Sequence, residues 1–537
     1  MSERLTVHRV GGDDADTVNA LVEDRVASQL SAGDPTLWGP DAESEAAIRL
    51  GWVDLPRTSR PLLAEVDALA AALRAEGIDH VVLCGMGGSS LAPEVITRTY
   101  GCTLTVLDST NPAVIRRVLD TDLSRTVVVV SSKSGGTLET DSHRRAFVAA
   151  FTAAGIDPRS RVVVVTDPGS PFAELAEKEG YRTVFLANPD VGGRYSALTA
   201  FGLVPAALAG VDVAELLDEA EAVMPALAAD SADNPALVLA AAMAGDKSRD
   251  KLVLADAGSG IAGFPDWAEQ LVAESTGKQG TGILPVAVEG VEAPELTSAA
   301  DDVLLALLEA SHDAPSDVAL AEPRLATVRV GGSLGAQFLL WETATAIAGR
   351  LLGTNPFDQP DVESAKQAAR GLLERQPAAD EPAFVDGAVE VRGSPGLLDG
   401  AGNVKAAVAA LLAGIDASGF LAVMAYLDSE RDAPLHDLRA VLARRTGRPT
   451  TFGWGPRFLH STGQYHKGGA PTGSFLQITS TEPDDVEIPG RPFTFGDLIR
   501  AQAAGDAQVL EDHGRPVLRL HLLDPAEGVV QLLSAIR

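Results

Sequence analysis

The chain has 537 residues, more than one hydrophobic core usually holds, so two or more domains are expected. Its formal net charge of −31 argues against nucleic acid or an anionic membrane as a partner, and an anionic substrate would need local positive groups. Two cysteines are too few for a disulfide framework. Without a signal-peptide pattern or an uncharged apolar run of membrane-spanning length, we expect a cytoplasmic protein.

The first predicted elements are helices, and an α/β block follows them. Residues 1–76 are expected to form a helical N-terminal segment, because apolar residues recur at helical spacing in 17–32 and 62–76. In residues 77–210, short apolar runs alternate with helical patterns, which predicts a parallel sheet covered on both faces. The runs lie at 80–84, 104–107, 126–130, 162–165 and 183–186.

Residues 211–537 repeat this alternation less regularly and are interpreted as a second α/β domain with a C-terminal extension. The segment 376–403 is rich in Pro, Gly, Ala and Asp and is expected to be a linker or loop. The predicted strands lie at 252–255, 326–330, 421–426, 450–453, 475–479 and 517–522. The predicted helices lie at 214–229, 235–243, 336–352 and 404–413.

Two strand ends in the α/β block carry small hydroxyl and glycine residues. The run at 81–90 ends in Gly-Gly-Ser-Ser, and the run at 127–137 ends in Ser-Ser-Lys-Ser-Gly-Gly-Thr. Glycine lets the backbone approach a ligand, and a following helix offers free N–H groups to an anion. Neither stretch has the spacing of a nucleotide-binding loop. The pair therefore predicts a site for a monophosphate.

Three further stretches carry candidate catalytic side chains. Arg194 follows two glycines before a helical pattern, and it is either a surface arginine or a fixed guanidinium beside developing negative charge. Gln270 and Glu274 share one helix face at i and i+4. Glu274 is either an exposed helical glutamate or, near the negative end of the helix dipole, a general base. Lys366 is carried by a new helix after a proline-rich turn, and a lone lysine of this kind is usually solvated.

The last stretch, 458–467, contains two histidines, His460 and His466. Such a histidine is more often structural or exposed than catalytic. No Asp, Glu or Cys stands at metal-ligand spacing beside them, so we predict no metal site.

Together these stretches resemble the phosphoglucose isomerase family, with matching motifs from about residue 81 to 467. The six motifs are Gly-Met-Gly-Gly-Ser at 85–89, Ser-Lys-Ser-Gly-Gly-Thr-Leu-Glu at 132–139, Val-Gly-Gly-Arg-Tyr-Ser at 191–196, Gln270 with Glu-Ser-Thr-Gly-Lys at 274–278, Asn-Pro-Phe-Asp-Gln-Pro-Asp-Val-Glu at 355–363 with Lys366, and Leu-His-Ser-Thr-Gly-Gln at 459–464.

Two features depart from the usual family pattern. His460 follows Lys366 instead of preceding it, an order that resembles the isomerase half of fused transaldolase–phosphoglucose isomerases. Gly136 stands in the phosphate loop where a hydroxyl residue is usual, so one oxygen donor is missing. His466 remains a local competitor of His460.

The resemblance implies two doubly wound sugar-isomerase domains with parallel-rich sheets and an interconversion of glucose 6-phosphate and fructose 6-phosphate in glycolysis and gluconeogenesis. Under it, His460 and Lys366 open the sugar ring, Glu274 moves a proton between C2 and C1, and Arg194 stabilises the enediolate. No cofactor is needed, because the hydrogen moves as a proton. A homodimer with residues of both subunits lining the pocket is also implied. The phosphate-binding and substrate-binding residues would be Gly88, Ser89, Ser132, Ser134, Thr137 and Gln270.

Alternatives from the same fold remain open. A non-catalytic sugar-phosphate sensor would need an effector module, and no basic recognition helix is evident. A glutamine-dependent aminosugar synthase would need an N-terminal nucleophilic cysteine, whereas the first cysteine is Cys84. An isomerase that also accepts mannose 6-phosphate is the third reading.

Overall fold

The computed structural model describes residues 5–11, 14–311, 326–375 and 381–537. Three mainly parallel sheets, each packed with helices, make up this part of the chain. The predicted α/β class with parallel-rich sheets is confirmed.

The strands, in chain order, are β1 Thr6–Val10, β2 His80–Cys84, β3 Thr105–Leu107, β4 Thr126–Ser131, β5 Val162–Thr166, β6 Thr183–Leu186, β7 Lys251–Asp256, β8 Leu284–Ala287, β9 Val303–Glu309, β10 Thr327–Gly331, β11 Phe384–Asp386, β12 Val389–Gly393, β13 Phe420–Tyr426, β14 Thr450–Trp454, β15 Gly473–Ser480 and β16 Val517–Leu522.

The α-helices are α1 Ala15–Glu23, α2 Val26–Ser31, α3 Pro40–Ala46, α4 Leu55–Thr58, α5 Leu62–Ala75, α6 Leu91–Thr99, α7 Pro112–Leu119, α8 Leu138–Ala153, α9 Pro171–Glu179, α10 Ala200–Leu208, α11 Val213–Leu227, α12 Pro235–Ala244, α13 Phe264–Thr276, α14 Pro294–Thr297, α15 Leu334–Leu352, α16 Val362–Arg375, α17 Val404–Ala413, α18 Leu438–Thr446, α19 Gly463–Gly468, α20 Phe495–Asp512 and α21 Pro525–Ile536.

The first sheet contains β2 to β6, all parallel, in the order β3-β2-β4-β5-β6. Its central strands are buried on both faces: Val127 and Val129 pack into one hydrophobic core, and Val128 and Val130 pack into another. β2 and β4 are direct neighbours that run in the same direction. The turns that follow these two strands therefore meet at one edge of the sheet.

The second and third sheets each combine parallel strands with an antiparallel edge. The second sheet has the order β1-β10-β9-β7-β8, in which β1 runs antiparallel to β10. The third sheet has the order β11-β12-β16-β15-β13-β14, in which β11 and β12 form the antiparallel edge. The remaining pairs in both sheets are parallel.

Several sequence predictions need correction. The segment 376–403 is not wholly a linker, because β11 and β12 lie within it; its residues 376–380 fall outside the described part of the chain. Residues 1–76 are not purely helical, because β1 pairs with β10 of the second sheet. The single helix predicted at 17–32 is divided into α1 and α2, since Arg25 between them has a left-handed φ of 55°. The division into domains at 76/77 and 210/211 stays a prediction.

Ion pairs fix the third sheet against the first. Arg457, which precedes the candidate catalytic histidine, pairs with Glu94 of α6 and lies 3.2 Å from the Asp108 carboxylate. Arg117 of α7 makes a two-pronged contact of 2.7 and 2.9 Å with Asp428. Paired hydrogen bonds of this kind restrict orientation as well as distance.

Among the helices described, none is long and apolar enough to cross a membrane.

Candidate active site

The turn after β2 meets the rest of the site through two glycines. A Cβ atom on Gly88 would lie 2.0 Å from the main-chain oxygen of Gly193, so the turn after β2 and the turn that carries Arg194 touch backbone to backbone. A Cβ atom on Gly87 would lie 2.7 Å from both the Gln270 side-chain nitrogen and the His460 carbonyl oxygen. Only glycine permits such approaches.

The loop between β4 and α8 is shaped by its own hydroxyl groups. Ser132 Oγ accepts a hydrogen bond from the Gly135 N–H at 3.1 Å and lies 3.4 Å from Thr137 Oγ1. Thr137 immediately precedes α8 and makes no side-chain cap, so the N–H groups of the first helical turn face the loop without a capping oxygen. This is the geometry of an anion site at a helix N-terminus.

The remaining predicted phosphate residues lie in the same two turns. Ser134 is exposed and accepts a hydrogen bond from the Gly136 N–H at 3.2 Å, and Ser89 is half-buried in the turn after β2. Lys133 turns away from the loop, since its Nζ lies 2.5 Å from Asp167 and 3.1 Å from the Pro189 carbonyl oxygen.

Arg194 is buried and held on every side of its guanidinium. Its Nη2 donates to the carbonyl oxygens of Pro356 and Asp358 at 2.6 and 2.8 Å, and its Nε donates to Ser275 Oγ at 3.0 Å. Its Nη1 lies 3.3 Å from both Glu274 Oε2 and Gln359 Oε1. The interpretation of Arg194 as a surface arginine is therefore wrong.

Glu274 lies near the end of α13 and is only 5% exposed. Its Oε2 faces Arg194, and its Oε1 lies 3.3 Å from the Nε2 of Gln270, one helical turn earlier. Gln270 Nε2 also donates to the His460 carbonyl oxygen at 2.8 Å. The other amide atom, Gln270 Oε1, is buried without a hydrogen-bond partner among the described residues, which leaves an acceptor for a ligand hydroxyl.

His460 lies in a short 3-10 turn, Arg457–His460, and its Nε2 is 3.0 Å from Glu139 Oε1. An ionised carboxylate only accepts hydrogen bonds, so the neutral imidazole carries its proton on Nε2 in this contact. The Nδ1 atom has no hydrogen-bond partner among the described side chains. This arrangement resembles a histidine oriented for proton transfer by a carboxylate.

His466 has a different environment from His460. Its ring packs against Phe420, Phe458 and Phe475, and both ring nitrogens are buried without a hydrogen-bond partner within the described chain. Burial holds the pKa of His466 well below its usual range, so the ring is neutral at physiological pH. His466 is a core residue in this structure and does not share the contacts of His460.

Lys366 lies in α16, but its side chain falls outside the described part of the structure. Lys278, a residue of the Glu274 motif without a predicted role, lies behind the site. Its Nζ donates at 2.7 Å to the carbonyl oxygens of Asn355 and Asp358 and to the Asp358 carboxylate. It therefore fixes the loop whose carbonyl groups hold Arg194. In the sequence, the only signal of this role is that Lys278 follows Glu274 in the same motif.

Comparisons with known proteins identify a family. The family model for phosphoglucose isomerase matches residues 68–281. A glucose-6-phosphate isomerase of Rubrobacter xylanophilus is 32% identical over 392 residues, which are 60% of this chain and 89% of that protein. A probable glucose-6-phosphate isomerase of Natronomonas pharaonis is 31% identical, over 61% of this chain and 86% of that protein.

The chain belongs to the phosphoglucose isomerase family. It is therefore an enzyme of the aldose–ketose isomerase class. Among solved structures, a hypothetical protein of Thermus thermophilus is similar with a TM-score of 0.58 and 27% identity, over 68% of this chain and all of that one. A glucose-6-phosphate isomerase of Chlamydia trachomatis has the same fold with a TM-score of 0.57 at 20% identity, over 71% of this chain and 90% of that one. The predicted sugar-isomerase fold is thereby confirmed.

The contact between the two glycine turns generates a paired prediction. Gly88→Ala should lower the free energy of unfolding by about 3 kcal/mol, because its Cβ would collide with a main-chain oxygen. Gly193→Ala should change it by less than about 0.5 kcal/mol, since a Cβ there meets no atom within 4 Å. Urea unfolding measures both. Equal effects of the two substitutions would contradict the backbone contact.

Because Lys278 is buried, the stability of the protein should depend on pH. Burial lowers the pKa of Lys278 from 10.5 to about 8, so between these values the unfolded chain binds a proton that the folded chain has released. Stability then rises with pH across this window by about 3 kcal/mol. Wild type should gain that much relative to Lys278→Met between pH 8 and pH 10.5.

The measurement is the free energy of urea unfolding of both proteins from pH 7 to 11, in which other titrating groups cancel from the difference. Lys178→Met, at an exposed position in α9, is the control and should show no such trend. If the difference in unfolding free energy between wild type and Lys278→Met stays constant with pH, the lowered pKa of Lys278 is refuted.

Proposed function

We propose that this enzyme interconverts glucose 6-phosphate and fructose 6-phosphate by opening the sugar ring and moving a proton between C1 and C2 through a cis-enediolate. One observation carries the proposal. The buried Glu274 carboxylate lies between the Arg194 guanidinium and the Gln270 amide, and Gln270 in turn touches the turn after β2. A base, a fixed cation and a phosphate cradle thus adjoin one another.

Glu274 is the proposed general base and acid. It takes the proton from C2 of the open aldose and returns it to C1 of the enediolate. General acid–base catalysis of this kind typically contributes about 10²–10⁴-fold. Gln270 fixes one carboxylate oxygen, and its unpaired Oε1 is an acceptor for a sugar hydroxyl.

Arg194 is proposed to stabilise the enediolate. Its guanidinium is already held by two carbonyl oxygens, Ser275 and Glu274, so it needs little reorganisation when negative charge develops on the sugar. Preorganised charge in a site that excludes water is worth far more than the same charge in solvent. This interaction has to supply several kcal/mol of the barrier reduction.

His460 is proposed to open the ring. In its protonated form, Nδ1–H gives its proton to the ring oxygen, while Glu139 holds Nε2–H and stabilises the imidazolium. Lys366 is proposed to assist this step, on the family resemblance alone. A homodimer stays a prediction.

The phosphate is proposed to bind at the turns after β2 and β4. Ser89, Ser132, Ser134 and Thr137 supply hydroxyl groups, and Gly88 with the first turn of α8 supplies backbone N–H groups. Lys133 is engaged by Asp167, so neutral donors hold the anion, and no cofactor or metal is required for the proton transfer.

A cytoplasmic location of the protein stays an expectation.

The test is fructose 6-phosphate incubated with the protein in deuterated water and read by NMR. We expect glucose 6-phosphate with deuterium at C2, because the carboxylate exchanges its proton with solvent during transfer. Mannose 6-phosphate in the same spectrum would show that the enzyme accepts both configurations at C2. Complete absence of turnover would contradict the isomerase proposal and favour a sugar-phosphate sensor.

Glu274→Gln tests the assignment of the base. It should lower turnover by about 10²–10⁴-fold, because the amide cannot take the proton. The dissociation constant for fructose 6-phosphate, measured by calorimetry, should change by less than about threefold, since the phosphate turns are untouched. Glu292→Gln, at an exposed position after β8, is the control and should retain full turnover. Wild-type turnover by Glu274→Gln would remove Glu274 from the reaction.

A further inference from the structure

A glutamine of the third-sheet region extends the contact between His460 and Glu139. Gln502 lies in the middle of α20 and is only 5% exposed. Its Nε2 donates to Glu139 Oε1 at 2.7 Å, and its Oε1 accepts a hydrogen bond from Thr110 Oγ1 at 2.7 Å. The four side chains form one line, from the buried Thr110, Gln502 and Glu139 to the half-buried His460.

At Glu139, the hydrogen bond from Gln502 determines how the carboxylate is presented to His460. His460 and Gln502 both bind the same oxygen, Oε1, at 3.0 and 2.7 Å. A carboxylate oxygen has two lone pairs, so a donor fixed on one lone pair determines where the other is presented. The amide of Gln502 cannot turn over without loss, because its oxygen would then face the acceptor oxygen of the Glu139 carboxylate.

We propose that Gln502 is a positioning residue for ring opening: it fixes the Glu139 carboxylate, which in turn fixes the tautomer and the orientation of His460. This inference rests on the proposed function of His460. Within the described chain, Gln502 makes no hydrogen bond to Glu274 or to the hydroxyl groups of the phosphate turns, so its main effect falls on the step that uses the histidine.

The test compares a cyclic substrate with one that cannot form a ring. Gln502→Met keeps the size of the side chain and removes the donor. It should lower kcat with glucose 6-phosphate about tenfold and change KM less than twofold. With erythrose 4-phosphate, whose phosphorylated C4 oxygen cannot close a five- or six-membered ring, the loss should be less than twofold.

Two matched variants define the role. Thr110→Val keeps the shape of the threonine and removes the hydroxyl group that holds the amide oxygen, so it should reduce turnover of the cyclic substrate in the same direction but by less. Gln508→Met lies in the same helix, at an exposed position where the amide donates to Asp512, and should behave as wild type.

A second readout does not depend on turnover. The ¹⁵N shifts of the His460 ring, assigned by comparison with His460→Asn, should report the Nε2–H tautomer in wild type. In Gln502→Met the two ring shifts should move toward each other as this tautomer loses its preference.

Equal losses on both substrates, or unchanged ring shifts in Gln502→Met, would overturn the positioning role. A wild-type protein that turns over neither sugar phosphate would sink the proposed function itself. An active wild type with an unaffected Gln502→Met variant would sink this inference alone.

Discussion

The rest of the site depends on the buried ion pair between Arg194 and Glu274. Two charges are out of water there, which is costly unless each is paired and hydrogen-bonded. The main chain meets that requirement, because the carbonyl oxygens of Pro356 and Asp358 and the hydroxyl group of Ser275 complete the shell of the guanidinium. Lys278 fixes the same loop from behind. The carboxylate, only 5% exposed, is thus held by a rigid cation.

Elements around all three sheets converge on this pair. The first sheet presents two hydroxyl-rich turns because two of its parallel strands are neighbours, and α13, which packs on the second sheet, carries Glu274. The region of the third sheet brings His460, anchored by Arg457 to Glu94 and Asp108. In a chain with a net charge of −31, Arg194 and Arg457 are already paired with carboxylates, so the backbone N–H groups of the turns are the local positive features left for an anion.

The sequence indicated most strands because β-branched runs buried on both faces are unambiguous, and the run at 126–130 became β4. It missed β9, whose Leu-Leu-Ala-Leu-Leu core reads equally well as a helix, and β1, whose partner is more than 300 residues away in the chain. Contacts between residues far apart in the chain also explain which features of the site could not be predicted. The motifs named His460, but no local pattern could show that Glu139 would meet it or that His466 would turn into an aromatic core.

The most direct test of the central claim is a crystal structure of the chain with a five-carbon aldonic acid phosphate, whose planar carboxylate resembles the enediolate. We expect one bound molecule with its carboxylate within hydrogen-bond distance of Glu274 and Arg194. Its phosphate should lie within hydrogen-bond distance of Ser132 and Thr137. A molecule whose phosphate lies elsewhere, or whose carboxylate is remote from Glu274 while the phosphate occupies these turns, would contradict it.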